Sequence, residues 1–341
     1  MRNARLVRFG GILAVALTAL ALAAGCDGTG DGDGDDLEAV VFMAGFRPQA
    51  NLPFVAVYMA DAHGFFADEG LDVEIRHSTQ GEHLQLLLAG EVEFTTGTAA
   101  ESLRQRANGL PLRAIALFGQ RGDQGFVVRA DSGIETPADF AGRSVGFKAG
   151  VVPAELHALL ATARLDAGDV GLRAVGFDER VFIEGAVDVF PVFLNNEPNR
   201  IRNAGVEIRV FDPADYGVAT LGLTFLTREG LATDDRDLVE RFLRAALRGA
   251  EYAAANREAA IDVVLVYAEG ADRAQQRFLL DTDLANAARV DGMGRATLAQ
   301  WEVLQDVLLA FDEQYDGPIE VAEAFDPSFA DGLYDDGGAL R

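Results

Sequence analysis

The chain has little with which to make covalent or metal chemistry. Its 341 residues include one cysteine, Cys26, so neither an intramolecular disulfide nor an all-cysteine metal site is available. Four histidines, His63, His77, His83 and His157, show no metal-ligand spacing. No G-x-S-x-G, P-loop or dinucleotide glycine fingerprint occurs. Carboxylate pairs carry no information in a chain with 54 acidic residues. No catalytic group, metal or cofactor is therefore assigned. Positive charge is also scarce: 29 Lys and Arg against 54 Asp and Glu leave a net charge of −25. Such a surface repels phosphate backbones and excludes nucleic acid as a partner. Lys148 is the only lysine.

What is present is apolar substance in quantity. Hydrophobic residues make up 49% of the chain, enough for a sizeable core, and the length suits about two domains of ~150 residues each. The first apolar run, Gly10 to Ala24, follows Arg2, Arg5 and Arg8 and is too short to span a membrane comfortably. It ends Leu22-Ala23-Ala24-Gly25-Cys26, which is similar to a bacterial lipobox, with Ala23 where Leu is usual. Residues 1–25 are read as a lipoprotein signal peptide and Cys26 as the lipidated first residue of the mature chain. Residues 26–37, rich in Gly and Asp, read as a solvated tether. Asp27, Thr29, Asp31, Gly32 and Glu38 fall loosely on a calcium-loop spacing, but Thr29 and the missing preceding helix favour the plain tether.

From Ala39 onward, short apolar runs alternate with helical patterns. Val40–Met43, Leu71–Ile75 and Val92–Thr95 read as strands. Asn51–Ala62 and His83–Ala89 read as helices, the first with Pro53 in its opening turn. This order predicts α/β lobes with mostly parallel sheets. Leu88–Phe94 and Ile183–Val189 echo one another: each ends a helix on glycine and begins a Val-acid-apolar strand. After residue 234 the pattern is helical to about 311, a tail that should pack back on one lobe, with Trp301 in its core.

Ligands of parallel α/β sheets sit beyond the carboxyl ends of strands. Three segments of that kind stand out. Phe94–Ala99 carries Thr95 and Thr96, Phe147–Val151 carries Lys148, and Phe190–Glu197 carries Phe193, Asn195 and Glu197. Each alone is ordinary helix capping; their recurrence in both halves points to a cleft. Phe46, Phe147 and Phe193 fall on loops after strands, where an aromatic face can stack on a flat ligand. Glu197, ahead of Pro198, is expected on extended backbone with its carboxylate free to pair with ring N–H groups.

Tyr58–Ala60 followed by His63-Gly64-Phe65-Phe66-Ala67-Asp68-Glu69-Gly70-Leu71-Asp72-Val73 resembles an early signature of the NMT1/THI5-like group of substrate-binding lipoproteins of ABC importers. Asp215-Tyr216-Gly217-Val218, followed by Leu226-Thr227, looks like the group's return crossover. The group's first ligand loop tends to read D-W-x-P-N-x-N-H. Here Gly45-Phe46-Arg47-Pro48-Gln49-Ala50-Asn51-Leu52 keeps Pro48 and Asn51 but lacks the Asp and His. The resemblance implies a two-lobed periplasmic-binding-protein-like fold of type II, with lobe 1 formed by 38–126 and 222–341 and lobe 2 by 127–221. It implies a ligand of the thiamine-pyrimidine or riboflavin type, held by Phe46, Gln49, Asn51, Thr95, Thr96, Lys148, Phe193, Asn195, Glu197 and Tyr216. It further implies a monomeric receptor, lipid-anchored on the outer face of the membrane, serving a permease and its ATPase. Two rivals are a pyrimidine synthase of the same fold, whose cysteine cluster this chain lacks, and a sensor without transport.

Overall fold

The computed structural model describes residues 37–341. The leader, Cys26 and the Gly/Asp stretch up to 36 lie outside the described residues. The strands are four to seven residues long, most of them carrying β-branched or aromatic residues. They assemble into two five-stranded sheets. The first contains β1 (Glu38–Ala44), β2 (Leu71–His77), β3 (Phe94–Thr98), β4 (Leu112–Leu117) and β10 (Leu223–Arg228), in the order β2-β1-β3-β10-β4. The second contains β5 (Gln124–Arg129), β6 (Ser144–Phe147), β7 (Gly171–Ala174), β8 (Val189–Phe193) and β9 (Ile208–Phe211), in the order β7-β6-β8-β5-β9. The two orders are equivalent. In each sheet four strands run in one direction and a single strand, β10 or β5, inserted from across the molecule, runs against them. The sequence echo marks β3 and β8, the corresponding central strands. Gly90 and Gly185 before them have φ of 75° and 78°, a left-handed conformation that glycine adopts without strain.

The chain passes between sheets twice, through 118–123 and 212–222. It enters the second sheet at Gln124, three residues ahead of the expected boundary at 127 and well before the strand at Ser144. The two crossings lie against each other. Gly222 N–H donates to Gly119 O at 2.8 Å and Gly122 N–H to Thr220 O at 2.9 Å. A Cβ on Gly119 would lie 2.6 Å from the Gly222 Cα, so both positions need glycine for close backbone approach.

The first sheet is covered on both faces. The helix Leu52–Ala62 and the helix Arg236–Ala255 pack on one face, where Phe242 stacks on Phe94 with ring centroids 3.9 Å apart. On the other, Trp301 of the helix Leu298–Phe311 stacks on Phe325 at 4.7 Å, fully buried as its position in the helical tail suggested. The second sheet has two smaller cores, one around Phe126, Phe140 and Leu159, the other around Phe182, Phe190 and Ile201.

Candidate ligand-binding site

Between the sheets lies a cavity of about 550 Å³, at the carboxyl ends of the parallel strands. Phe46, Gln49, Asn51, Thr96, Phe193, Asn195 and Glu197, all expected from sequence, line it. Thr95, Lys148 and Tyr216 do not. Successive strand residues face opposite ways, so Thr95 and Thr96 cannot share a task. Thr96 turns to the cavity and its Oγ1 accepts from Gly45 N–H at 2.9 Å. Thr95 is fully buried and donates to Met43 O at 2.5 Å, tying β3 to β1. Tyr216 ends the turn Pro213–Tyr216 and stacks on Phe211 at 6.0 Å, against the second sheet's core and away from the cleft.

Lys148 and Glu197 form a pair instead of acting separately. Nζ of Lys148 donates to Glu197 Oε1 at 2.6 Å, and both side chains are almost fully buried. The ammonium also faces the rings of Phe190, Phe193 and Phe177, at 4.9, 5.4 and 5.5 Å. The second carboxylate oxygen of Glu197 accepts from Phe193 N–H at 2.8 Å. Both oxygens are thus engaged, and the expected free carboxylate is corrected to a structural one. Its backbone differs too. Glu197 opens the helix Glu197–Asn203, with Asn196 as cap and Pro198 in the first turn, where a missing N–H costs nothing.

Asn195 and Asn51 converge on a residue that sequence reasoning missed. Asp283, on the helix Arg273–Ala287, accepts from Asn195 Nδ2 at 2.7 Å, from Leu52 N–H at 2.9 Å and from Asn51 Nδ2 at 3.4 Å. Gln49 in turn donates to Asn51 Oδ1. On the same helix Gln275 donates to Asn196 Oδ1 at 3.0 Å and accepts from Asn199 at 2.8 Å. This helix therefore latches the loop after β8 to the first lobe. The only local signal was a polar stripe on an amphipathic helix, which by itself reads as a solvated face.

Asp123 was missed as well. It closes the first crossing and lines the cavity. Burial, reinforced by the charges of Asp283, Glu155 and Glu197, pushes its carboxyl up to about 7. Burial likewise raises Glu101 and Asp283 and lowers His83, so that His83 is neutral at physiological pH. The remaining missed residues include Phe177 and Arg200 from the second lobe and Arg47 from the first. The site offers stacking faces, amides, hydroxyls and carboxyls whose proton affinity burial raises, a lining suited to a polar heterocycle. Among the described residues no group of three or more His, Cys, Asp or Glu could hold a metal ion, and no helix is long and apolar enough to cross a membrane.

Known proteins resemble this one in sequence and in fold. It is 27% identical over 297 residues to the riboflavin-binding protein RibY of Chloroflexus aurantiacus, covering 83% of this chain and 84% of that protein. It is 29% identical over 235 residues to the formylaminopyrimidine-binding protein of Halalkalibacterium halodurans, covering 67% and 70%. The periplasmic aliphatic sulphonate binding protein SsuA of Escherichia coli superposes with a TM-score of 0.67 at 15% identity, over 84% of this chain and 91% of that one. The fold is that of the periplasmic binding proteins, two α/β lobes about a cleft. Residues 51–260 match the family described as NMT1/THI5 like, and the chain belongs to that family.

Proposed function

We propose that this protein is a non-enzymatic, extracytoplasmic solute receptor that captures a flat polar heterocycle of the flavin class and delivers it to an ABC permease. The observation that carries the reading is the 550 Å³ cavity between the lobes, lined by phenylalanines and amides. It lies within the ~300–1,000 Å³ usual for small-molecule pockets and exceeds what one pyrimidine ring fills. The relatives named for riboflavin and for formylaminopyrimidine support a heterocycle. The altered first loop, without the Asp and His of the pyrimidine-binding pattern, favours the flavin over the pyrimidine.

Phe46 and Phe193 present ring faces, while Gln49, Asn51 and Thr96 supply hydrogen bonds. The lobes swing about the paired crossings 118–123 and 212–222, and ligand that touches both shifts the population towards the closed form. Lipidation at Cys26 anchors a monomeric receptor to the outer face of the membrane. Two chains of acyl burial give stable retention, so Cys26→Ser releases the protein into the soluble fraction.

The test is a fluorescence titration of the full-length protein with riboflavin, beside calorimetry with formylaminopyrimidine. Saturable quenching by riboflavin, at least tenfold tighter than the pyrimidine, is expected. The reverse order moves the ligand to single-ring pyrimidines. Turnover of either compound, or binding of neither, overturns the receptor reading.

A further inference from the structure

Two aromatic side chains depart from the behaviour of all the others. Among the described residues, Phe46 and Phe177 are the exposed aromatic rings, at 51% and 60%. The remaining exposed large apolar residues are Leu and Val. Folding gives no reason to leave a phenylalanine in water when large cores are at hand. Chance exposure would not bring two such rings to one place. Yet both line the same 550 Å³ cavity, and they reach it from opposite lobes. Phe46 follows the carboxyl end of β1 and Phe177 the carboxyl end of β7.

Each ring is backed by a cation. The Arg47 guanidinium lies 5.4 Å from the centre of the Phe46 ring, and Lys148 Nζ lies 5.5 Å from that of Phe177. A cation over one face orients the ring and leaves the other face for a partner. The cation behind Phe177 is itself fixed by its pairing with Glu197. The only lysine in the chain thus stands behind this exposed ring as a positioning residue.

We propose that Phe46 and Phe177 are the two jaws of a stacking clamp, one on each lobe, that closes on the opposite faces of a planar aromatic ring. This rests on the receptor reading above and adds to it a specificity-determining residue, Phe177. The clamp selects fused rings with two accessible faces, because each jaw needs a face of its own. It also makes lobe closure and ring recognition one event. Before closure each jaw has one face against water; afterwards both faces of the ligand are covered.

The experiment uses the full-length protein with two probes, riboflavin and lumichrome, the second being the tricyclic ring without the polyhydroxyl chain. Phe177→Leu keeps apolar bulk but removes the ring face. It is expected to weaken both probes by about tenfold, and by the same factor, because the clamp acts on the ring alone. Phe177→Trp should restore binding to within threefold. Phe46→Leu/Phe177→Leu should weaken binding a hundredfold or more. The melting temperature of the ligand-free protein should not move with Phe177→Leu, since the ring contributes little core. If the wild-type protein binds riboflavin or lumichrome and Phe177→Leu stays within twofold, the clamp is overturned and the receptor reading stands. If the wild-type protein binds neither probe, the flavin reading falls and the clamp with it.

Discussion

The two lobes share one strand order but hold themselves together differently. Lobe 1 buries aromatic rings on both faces of its sheet, with Phe42, Phe66, Phe94 and Phe225 all within 6.0 Å of Phe242. Lobe 2 splits its apolar residues between two small clusters. In one of these walls it places a buried ion pair, Lys148–Glu197, inside a cage of phenylalanines. At the cleft, lobe 1 closes its strand ends with hydroxyls and backbone, as Thr96 does for Gly45 and Thr95 for Met43. Lobe 2 closes its own with charge. The same topology thus tolerates two solutions. The large core makes lobe 1 the platform, and the thin one leaves lobe 2 dependent on polar contacts and on the latch to Asp283.

This contrast is sharpest in core truncations. Phe242→Ala should lower stability by about 3–5 kcal/mol, the range for large buried aromatics. Phe182→Ala in lobe 2 should fall near the lower end of that range, at ~3 kcal/mol, because Phe182 stacks on Phe190 alone, at 5.9 Å. Urea midpoints at unchanged slope measure both. Equal losses would erase the difference between the lobes.

A comparable effect is expected at the ion pair. Glu197→Gln leaves Lys148 charged and buried without its counter-charge, at a cost of about 3–5 kcal/mol. Lys148→Met in the same chain should recover most of it, since no buried charge is then left without its counter-charge. A double-mutant cycle by thermal unfolding reads the coupling. An additive result would mean that the pair does not hold lobe 2 together.

Loosening the latch should cost less in stability and act on shape. Asn195→Ala removes the 2.7 Å bond to Asp283, about 1.5 kcal/mol for a bond to a charged acceptor. The radius of gyration in solution scattering should rise towards an open form. An unchanged radius would remove Asp283 from the closing mechanism.

A further effect is a pH dependence. Asp123 binds its proton more tightly folded than unfolded, because of burial and the charges of Asp283, Glu155 and Glu197. The stability tied to that proton is complete below about 4 and is lost as the pH rises through about 7. Asp123→Asn should therefore melt above wild type at pH 8, and the gap should close towards pH 5. A gap that does not vary with pH would place Asp123 outside this linkage.

Much of the fold was legible in the chain. The helices Leu52–Ala62 and His83–Ala89 lie where periodicity predicts, and Gly90 ends a helix in the left-handed conformation its position implies. These features depend on neighbours three or four residues away, which a linear pattern records. The strand Gln124–Arg129 was hidden because its partners are β8 and β9, some 60 to 90 residues further on.

The candidate site divides along the same line. Residue types at strand ends named Phe46, Thr96, Phe193, Asn195 and Glu197, because the carboxyl edge of a parallel sheet follows from local order, and the family resemblance added Gln49 and Asn51. What each residue does there was decided only by tertiary structure. Asp283 lies 88 residues from Asn195 and Lys148 lies 49 from Glu197, and no spacing rule links such positions. The sequence by itself determined where the chain turns and which edge meets the ligand, since these are short-range consequences of propensity and chirality. Which carboxylates are consumed in holding the lobes, and which faces remain free for a ligand, depend on how distant segments pack.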